Sequence, residues 1–157
     1  MTPSSRARLR AVFPIAVLFL AACAGADAPP TIEGTTFAPA LGVNLAASTK
    51  TADGEYYRDI TTGTGALVIN GQTLSVHYTG WLSNGAQFGS NVSQQAFPFV
   101  LGGQQVIRGW DRGFAGAHVG GARQLIIPSE MGYGPQGNGL IPPNAILVFN
   151  VQIDSAQ

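Results

Sequence analysis

Near the middle of the chain lies the segment Gln104-Gln105-Val106-Ile107-Arg108-Gly109-Trp110, which places a large aromatic side chain in a short, otherwise apolar helical pattern. Further aromatic clusters occur on both sides of it, at 76–80, 97–99, 132–134 and 147–149. No cluster of Cys, His or acidic residues lies among them. If these segments converge in the fold, they form an apolar pocket that can bind a substrate but offers it no nucleophile.

Length and composition limit the fold class. The chain has 157 residues, of which 45% are hydrophobic, 21 are Gly and 10 are Pro. This length allows one domain, and abundant Gly and Pro favour short strands and turns over long helices. The formal net charge is zero, so nothing indicates nucleic-acid binding.

The first residues have the pattern of a secretory signal peptide. Arg6, Arg8 and Arg10 precede the apolar segment 11–20, which is followed by small residues. This segment is too short for a good transmembrane helix.

The end of this segment, Leu20-Ala21-Ala22-Cys23, resembles a bacterial lipobox. Residues 1–22 are therefore predicted to be a lipoprotein signal peptide, and Cys23, the only cysteine of the chain, the lipidated first residue of the mature protein. The alternative is an ordinary signal peptide with a cysteine nearby. Ala24, rather than Asp, follows the cysteine, which favours the outer membrane. We expect an exported protein that faces the periplasm and touches the membrane only through its lipid anchor.

Residues 23–53 are predicted to be an N-terminal tether and arm. Residues 24–34 include Ala28-Pro29-Pro30, which cannot continue a helix, and are interpreted as a flexible tether. The following part, 35–51, is predicted to form a short helix or an arm that docks on the domain through Phe37, Leu41, Val43 and Leu45.

Residues 54–157 are predicted to form one α+β domain. Alternating apolar residues and turn signals predict strands at 56–60, 73–78, 97–101, 122–127 and 147–153. Residues 106–115 are predicted to form two or three helical turns, which Gly109 and Gly113 weaken. About five strands and one short helix predict an antiparallel sheet that buries one face against the helix.

Several catalytic chemistries find no support in the sequence. Gly63-Thr64-Gly65 lacks the third Gly, the Lys and the following helix of a phosphate-binding loop. His77 and His118 are isolated from acids and Cys, so neither a metal site nor a catalytic triad is predicted. No serine has a Gly-x-Ser-x-Gly setting. The sequence thus predicts no metal and no cofactor.

The aromatic residues, unlike the motifs above, indicate a functional site. Core packing explains each of them singly, but together they are spread over strands, a helix and a loop that can meet at one end of a sheet. This set contains seven of the chain's 14 aromatics: Tyr78, Phe88, Phe97, Phe99, Trp110, Tyr133 and Phe149.

Four motifs in order resemble the FKBP-type immunophilins. They are Val-His-Tyr-Thr-Gly at 76–80, Val-Ile-Arg-Gly-Trp at 106–110, Gly-Tyr-Gly at 132–134 and Ile-Pro-Pro-Asn-Ala-Ile-Leu-Val-Phe at 141–149. The resemblance covers about residues 54–154. It implies a curved antiparallel sheet wrapped around a short helix, and a peptidyl-prolyl cis-trans isomerase that binds proline-containing polypeptides and macrolides of the FK506 type.

The same resemblance implies roles for individual residues. Trp110 forms the pocket floor, and Phe88 flanks the proline ring. The backbone N–H of Ile107 and the hydroxyl of Tyr133 bond substrate carbonyls. Leu140 and Ile141 lie on a loop above the mouth. The remaining predicted substrate contacts are the residues of the cavity walls and Phe99, which belongs to the neighbouring aromatic cluster. They are Tyr78, Phe97, Phe99, Val106, Ile107, Tyr133 and Phe149.

One departure from the family pattern concerns the pocket. The family usually has Phe-Asp-Ser-Ser where this chain has Phe88-Gly89-Ser90-Asn91, and that Asp accepts a hydrogen bond in the pocket and supports the Tyr that corresponds to Tyr78. The alternative interpretation is therefore a non-catalytic module of the same fold, which binds proline-containing chains or a partner without accelerating rotation.

Overall fold

The computed structural model describes residues 28–157. The predicted signal peptide, 1–22, and the predicted lipidation site, Cys23, lie outside the described residues. Within residues 28–157, seven strands and one α-helix follow one another: β1 Thr49–Lys50, β2 Tyr56–Thr61, β3 Thr73–Leu82, β4 Gln87–Ser90, β5 Phe97–Val100, α1 Arg108–Gly113, β6 Ala122–Ile127 and β7 Leu147–Ala156. Single turns of 3-10 helix occupy Pro39–Leu41, Leu45–Ala47, Ser129–Met131 and Gly134–Gln136.

The strands form one antiparallel sheet in the order β1-β2-β6-β7-β3-β4, and β5 pairs with β3 beside β4. The predicted α+β architecture is confirmed, but the sheet has seven strands rather than about five. The two strands that sequence patterns missed are β1, which has only two residues, and β4, whose sequence Gln-Phe-Gly-Ser carries a single apolar side chain. Neither offers the apolar alternation that predicts a strand.

The main core lies between the sheet and α1. Alternate residues of β7 point into it, and Leu147, Phe149, Val151 and Ile153 are all at most 3% exposed. Helix α1 has six residues, fewer than the 106–115 predicted, since Ile107 before it is extended and provides no side-chain cap. A helix of this length depends on tertiary packing, because so few residues do not form a stable helix alone.

A buried arginine fixes α1 to the sheet. Arg123 of β6 is 2% exposed, and its Nη1 donates to the carbonyl oxygens of Gly113 at 2.8 Å and Ala115 at 3.2 Å. Its Nε donates to the carboxylate of Asp59 at 2.6 Å, and the guanidinium lies 4.5 Å from the ring centre of Tyr57. Charge-assisted bonds of this kind are the strong ones, so they set the position of the helix that carries Trp110.

The N-terminal arm packs on the opposite face of the sheet. Ile32 is 2% exposed, although it falls within the segment 24–34 predicted to be a flexible tether, so that prediction is wrong for Ile32. Glu33 accepts hydrogen bonds from Lys50 and Tyr56, which joins this segment to β1 and β2. The buried residues of this second cluster are Ile32, Leu41, Tyr56, Ile126, Ile146 and Val148. Phe37, Val43 and Leu45 pack against it.

Within residues 28–157, no helix has both the length and the apolar character that crossing a membrane requires.

Candidate active site

Trp110 forms the floor of a cavity at one end of the sheet. It lies on α1 and is 5% exposed. Its ring centre is 5.1 Å from that of Tyr78 and 5.4 Å from that of Phe149, and both pairs meet edge to face. Such pairs are worth about 0.5–1.5 kcal/mol each beyond the area they bury. The floor is therefore held in one orientation by rings from β3 and β7.

The cavity above Trp110 has a volume of about 370 Å³. Every side chain that lines it is uncharged, and six of them are aromatic, so a bound amide meets aromatic rings and a few neutral polar groups. The lining residues are Tyr78, Phe88, Gly89, Phe97, Gln105, Val106, Ile107, Trp110, Tyr133, Asn138, Leu140, Ile141 and Phe149.

Gly80 makes room for two of these rings. It faces the cavity side of β3, and a Cβ at this position would lie 2.7 Å from ring atoms of both Phe88 and Phe149. Those two rings meet edge to face with their centres 5.4 Å apart. A glycine inside a strand marks a close approach of this kind.

Two of the residues that line the cavity, Ile107 and Tyr133, carry polar groups that can bond a ligand. The backbone N–H of Ile107 precedes α1 and donates no hydrogen bond to any residue among 28–157. Burial raises the pKa of the Tyr133 phenol, nearby Tyr78 adds to this effect, and Asn138 opposes it. The Tyr133 hydroxyl therefore keeps its proton near neutral pH and remains a hydrogen-bond donor.

The structure brings together ten of the eleven side chains predicted to bind substrate. The exception is Phe99, which is 2% exposed and does not line the cavity. It lies behind the floor, with its ring centre 5.5 Å from that of Trp110 and 5.9 Å from that of Phe114. Because Trp110 covers it, Phe99 supports the floor and does not touch a ligand. Phe97, two residues earlier on β5, is 40% exposed at the mouth.

Sequence patterns did not assign Gln105 and Asn138 to the cavity, because neither belongs to an aromatic cluster. The Oε1 of Gln105 accepts the backbone N–H of Val100 at 2.9 Å, which fastens the end of β5 to the segment before α1. Asn138 pairs with Ile141 through two backbone hydrogen bonds of 2.9 Å, which close the loop at the rim.

The histidines and the acidic residues of 28–157 all lie outside the cavity. Among residues 28–157, no group of three or more His, Cys, Asp or Glu side chains is placed to hold a metal ion. His77 is not isolated from acids as the sequence suggested, since it bonds Asp154 at 2.7 Å as well as the carbonyl oxygen of Gln94 at 3.1 Å. His118 bonds the carbonyl oxygen of Gly65 at 3.0 Å.

Comparison with known proteins decides the family. The sequence model of FKBP-type peptidyl-prolyl cis-trans isomerases matches residues 65–154, which is more than half of the chain. The chain belongs to this family. An FKBP of this type is a peptidyl-prolyl cis-trans isomerase, and the family binds proline-containing substrates and ligands of the FK506 type.

Relatives of this FKBP are found in bacteria and plants. An FK506-binding protein of Neisseria meningitidis serogroup A is 50% identical over 97 residues, which cover 60% of this chain and 89% of the relative. The peptidyl-prolyl cis-trans isomerase FKBP15-3 of Arabidopsis thaliana is 40% identical over 124 residues, or 77% of this chain and 87% of the relative. The crystal structure of AtFKBP13 superposes with a TM-score of 0.66 at 32% identity, over 70% of this chain and 98% of that one.

Proposed function

We propose that this isomerase acts on X–Pro bonds bound in the aromatic cavity, without covalent chemistry. The observation that carries this proposal is the uncharged cavity above Trp110, which has six aromatic residues in its lining. Trp110 supports the proline ring from below, and Phe88 flanks it. The N–H of Ile107 and the hydroxyl of Tyr133 bond carbonyl groups of the substrate. Leu140, which is 75% exposed, and Ile141 contact the chain at the mouth.

Amide resonance explains why such a cavity accelerates rotation. The barrier to rotation about a peptide bond is about 18–20 kcal/mol, because resonance gives the C–N bond partial double-bond character. Resonance also places negative charge on the oxygen, which water stabilises. The twisted amide of the transition state is less polar, so a cavity that replaces water by aromatic rings favours it over the planar ground state. Each 1.4 kcal/mol of this preference gives about a tenfold rate gain.

Trp110→Leu is the test of this site. We expect kcat/KM for a proline-containing peptide to fall by at least about tenfold, because the floor loses area and shape while the backbone of α1 is retained. The measurement is the isomerisation rate at equal folded fraction. Trp81→Leu is the matched control, since Trp81 lies on the face of β3 that packs against the arm. Equal activity in both variants would place the active site elsewhere.

We further propose that the protein is a lipoprotein of the cell envelope, anchored through Cys23 and facing the periplasm, where it assists the folding of exported proteins. The support is the sequence of the first residues: a basic start, an apolar segment and Leu20-Ala21-Ala22-Cys23. A single acyl chain gives only marginal membrane binding, so stable attachment requires more than one chain on the cysteine.

Cys23→Ser is expected to release the protein from the membrane fraction into the soluble periplasmic fraction. The measurement is immunodetection in fractionated cells. Ala24→Asp serves as the matched variant, because it keeps the cysteine and is expected to move the protein from the outer to the inner membrane. Retention of Cys23→Ser in the membrane at the level of the natural protein would contradict lipid anchoring.

A further inference from the structure

Asn91 is a buried amide side chain beside the cavity that has none of the roles given above. It follows β4 at the edge of the sheet, yet it is only 8% exposed. The segment that begins with it, 91–96, connects Phe88 and Gly89 of β4 to Phe97 of β5, and thus two walls of the cavity.

The sheet has a gap at this point. Strand β7 pairs along nearly all of β3 on one edge, so β4 and β5 share the other edge. The pairing with β4 ends at Thr79 opposite Ser90, and the pairing with β5 begins at Val76 opposite Phe97. Between these two ladders, the N–H of Tyr78 has no strand partner, and the carbonyl of Val76 lies at the last pair of the β3–β5 ladder.

The side chain of Asn91 fills this gap. Its Oδ1 accepts the N–H of Tyr78 at 2.7 Å, and its Nδ2 donates to the carbonyl oxygen of Val76 at 3.1 Å. A carboxamide offers one acceptor and N–H donors, as a backbone peptide unit does. The remaining Nδ2 proton reaches the carbonyl oxygen of Gln95 at 3.2 Å, and the backbone N–H of Asn91 donates to the Tyr78 carbonyl at 3.1 Å.

These four bonds act on two cavity walls. Both backbone groups of Tyr78 on this edge are bonded to Asn91, so the direction of the Tyr78 ring against Trp110 depends on them. Gln95 precedes Phe97 by two residues, so the third side-chain bond holds the segment that leads into the opposite wall. No described atom bonds the Tyr78 hydroxyl, so its position rests on its backbone and on ring packing.

We propose that Asn91 is a positioning residue for isomerisation, which replaces a missing peptide unit between β4 and β5 and thereby fixes Tyr78 and Phe97 in the cavity wall. This inference rests on the proposed catalytic role of the cavity. Its effect on the rate arises because small misplacements of groups that contact the reacting centre lower catalysis strongly.

Asn91→Ala tests the inference against a matched control. Loss of the carboxamide leaves the Tyr78 N–H without a partner and removes one bond to the Val76 carbonyl. We expect kcat/KM and FK506 affinity to fall about tenfold at equal folded fraction. Gln124→Ala is the control, because Gln124 is also a buried amide and neither it nor its partners, the carbonyl of Leu41, Asn150 and Arg58, line the cavity. The Gln124→Ala variant is expected to have a lower thermal stability and unchanged kcat/KM and FK506 affinity.

Gly89→Asp provides a rescue that a purely structural role would not show. A Cβ at position 89 would lie 3.8 Å from the Tyr78 hydroxyl, and the φ angle of Gly89 is outside the left-handed region. A carboxylate there can accept a hydrogen bond from the Tyr78 hydroxyl and hold the ring by a second route. We therefore expect Gly89→Asp to raise kcat/KM more in the Asn91→Ala background than in the natural sequence.

The experiments distinguish a failure of this inference from a failure of the proposed function. If Asn91→Ala stays within twofold of the natural protein while Trp110→Leu is impaired, the inference is overturned and the proposed site stands. An equal fall in Gln124→Ala, or an identical gain from Gly89→Asp in both backgrounds, also overturns it. If Trp110→Leu itself has no effect, the proposed function fails and the role of Asn91 fails with it.

Discussion

Phe149→Ala is expected to abolish most of the isomerase activity and to lower the free energy of unfolding by about 3–5 kcal/mol. Phe149 is 3% exposed on β7, and its ring meets those of Trp110, Phe88 and Tyr78 edge to face. Truncation removes one cavity wall and leaves a void in the core, which the close-packed surroundings fill only in part.

The measurements for this variant are denaturant unfolding and the isomerisation rate per folded molecule. Ile153→Ala is the matched control, because Ile153 lies on the same strand, is fully buried and does not line the cavity. A comparable loss of stability is expected from it, about 2–5 kcal/mol, with activity retained. If the two variants keep the same activity per folded molecule, Phe149 contributes to the core alone.

The second large effect concerns Glu55, a carboxyl group in the core. Its residue exposure is 0%, and neither of its oxygens has a hydrogen-bond partner within residues 28–157. A Cβ at Gly113 would lie 2.9 Å from Oε1, so the carboxyl group faces the last residue of α1. Burial raises the pKa of Glu55 to about 8, Asp53 adds to this effect, and Arg123 opposes it.

The raised pKa fixes the sign of the pH dependence. The folded protein binds this proton more tightly than the unfolded chain, whose Glu has an ordinary pKa near 4.5. The contribution of Glu55 to stability is therefore fully present below pH 4.5, decreases as the pH rises from 4.5 to about 8, and changes no further above that. The difference between a pKa of about 8 in the folded protein and 4.5 in the unfolded chain changes the free energy of unfolding by at most ~4–5 kcal/mol, at ~1.4 kcal/mol per pKa unit.

Glu55→Leu is expected to be several kcal/mol more stable than the natural protein at pH 8, and to lose the decrease between pH 4.5 and 8. The measurement is thermal or denaturant unfolding across this pH range. Glu55→Gln separates charge from packing, because it removes the titration but keeps a buried polar group. An unchanged slope in both variants would show that other groups cause the pH dependence.

The aromatic cavity shows how far local patterns reach. The resemblance of four motifs to the FKBP family, together with the aromatic clusters, implied the eleven cavity side chains, ten of which the structure brings together. Alternation and helical periodicity predicted five of the seven strands and the helix. Such patterns are local, since one buried face imposes a period of two on a strand and of 3.6 on a helix. Phe97 and Phe99 of β5 share this period and one face of the strand, so their sequence gives no sign that one faces the cavity and the other lies beneath Trp110.

The features that the sequence did not predict depend on contacts between distant residues. In the sequence, Asn91 resembles an ordinary loop residue. Its role follows from the gap that β4 and β5 leave on the edge of β3. By residue type alone, Arg123 and Glu55 are expected on the surface and Ile32 in a tether. In the folded protein all three are buried. The sequence by itself determined the family, the fold class and the residues expected in the cavity, because these follow from four family motifs, side-chain type and periodicity. Only the tertiary structure decided which polar groups are enclosed, because burial depends on what packs against a residue from elsewhere in the chain.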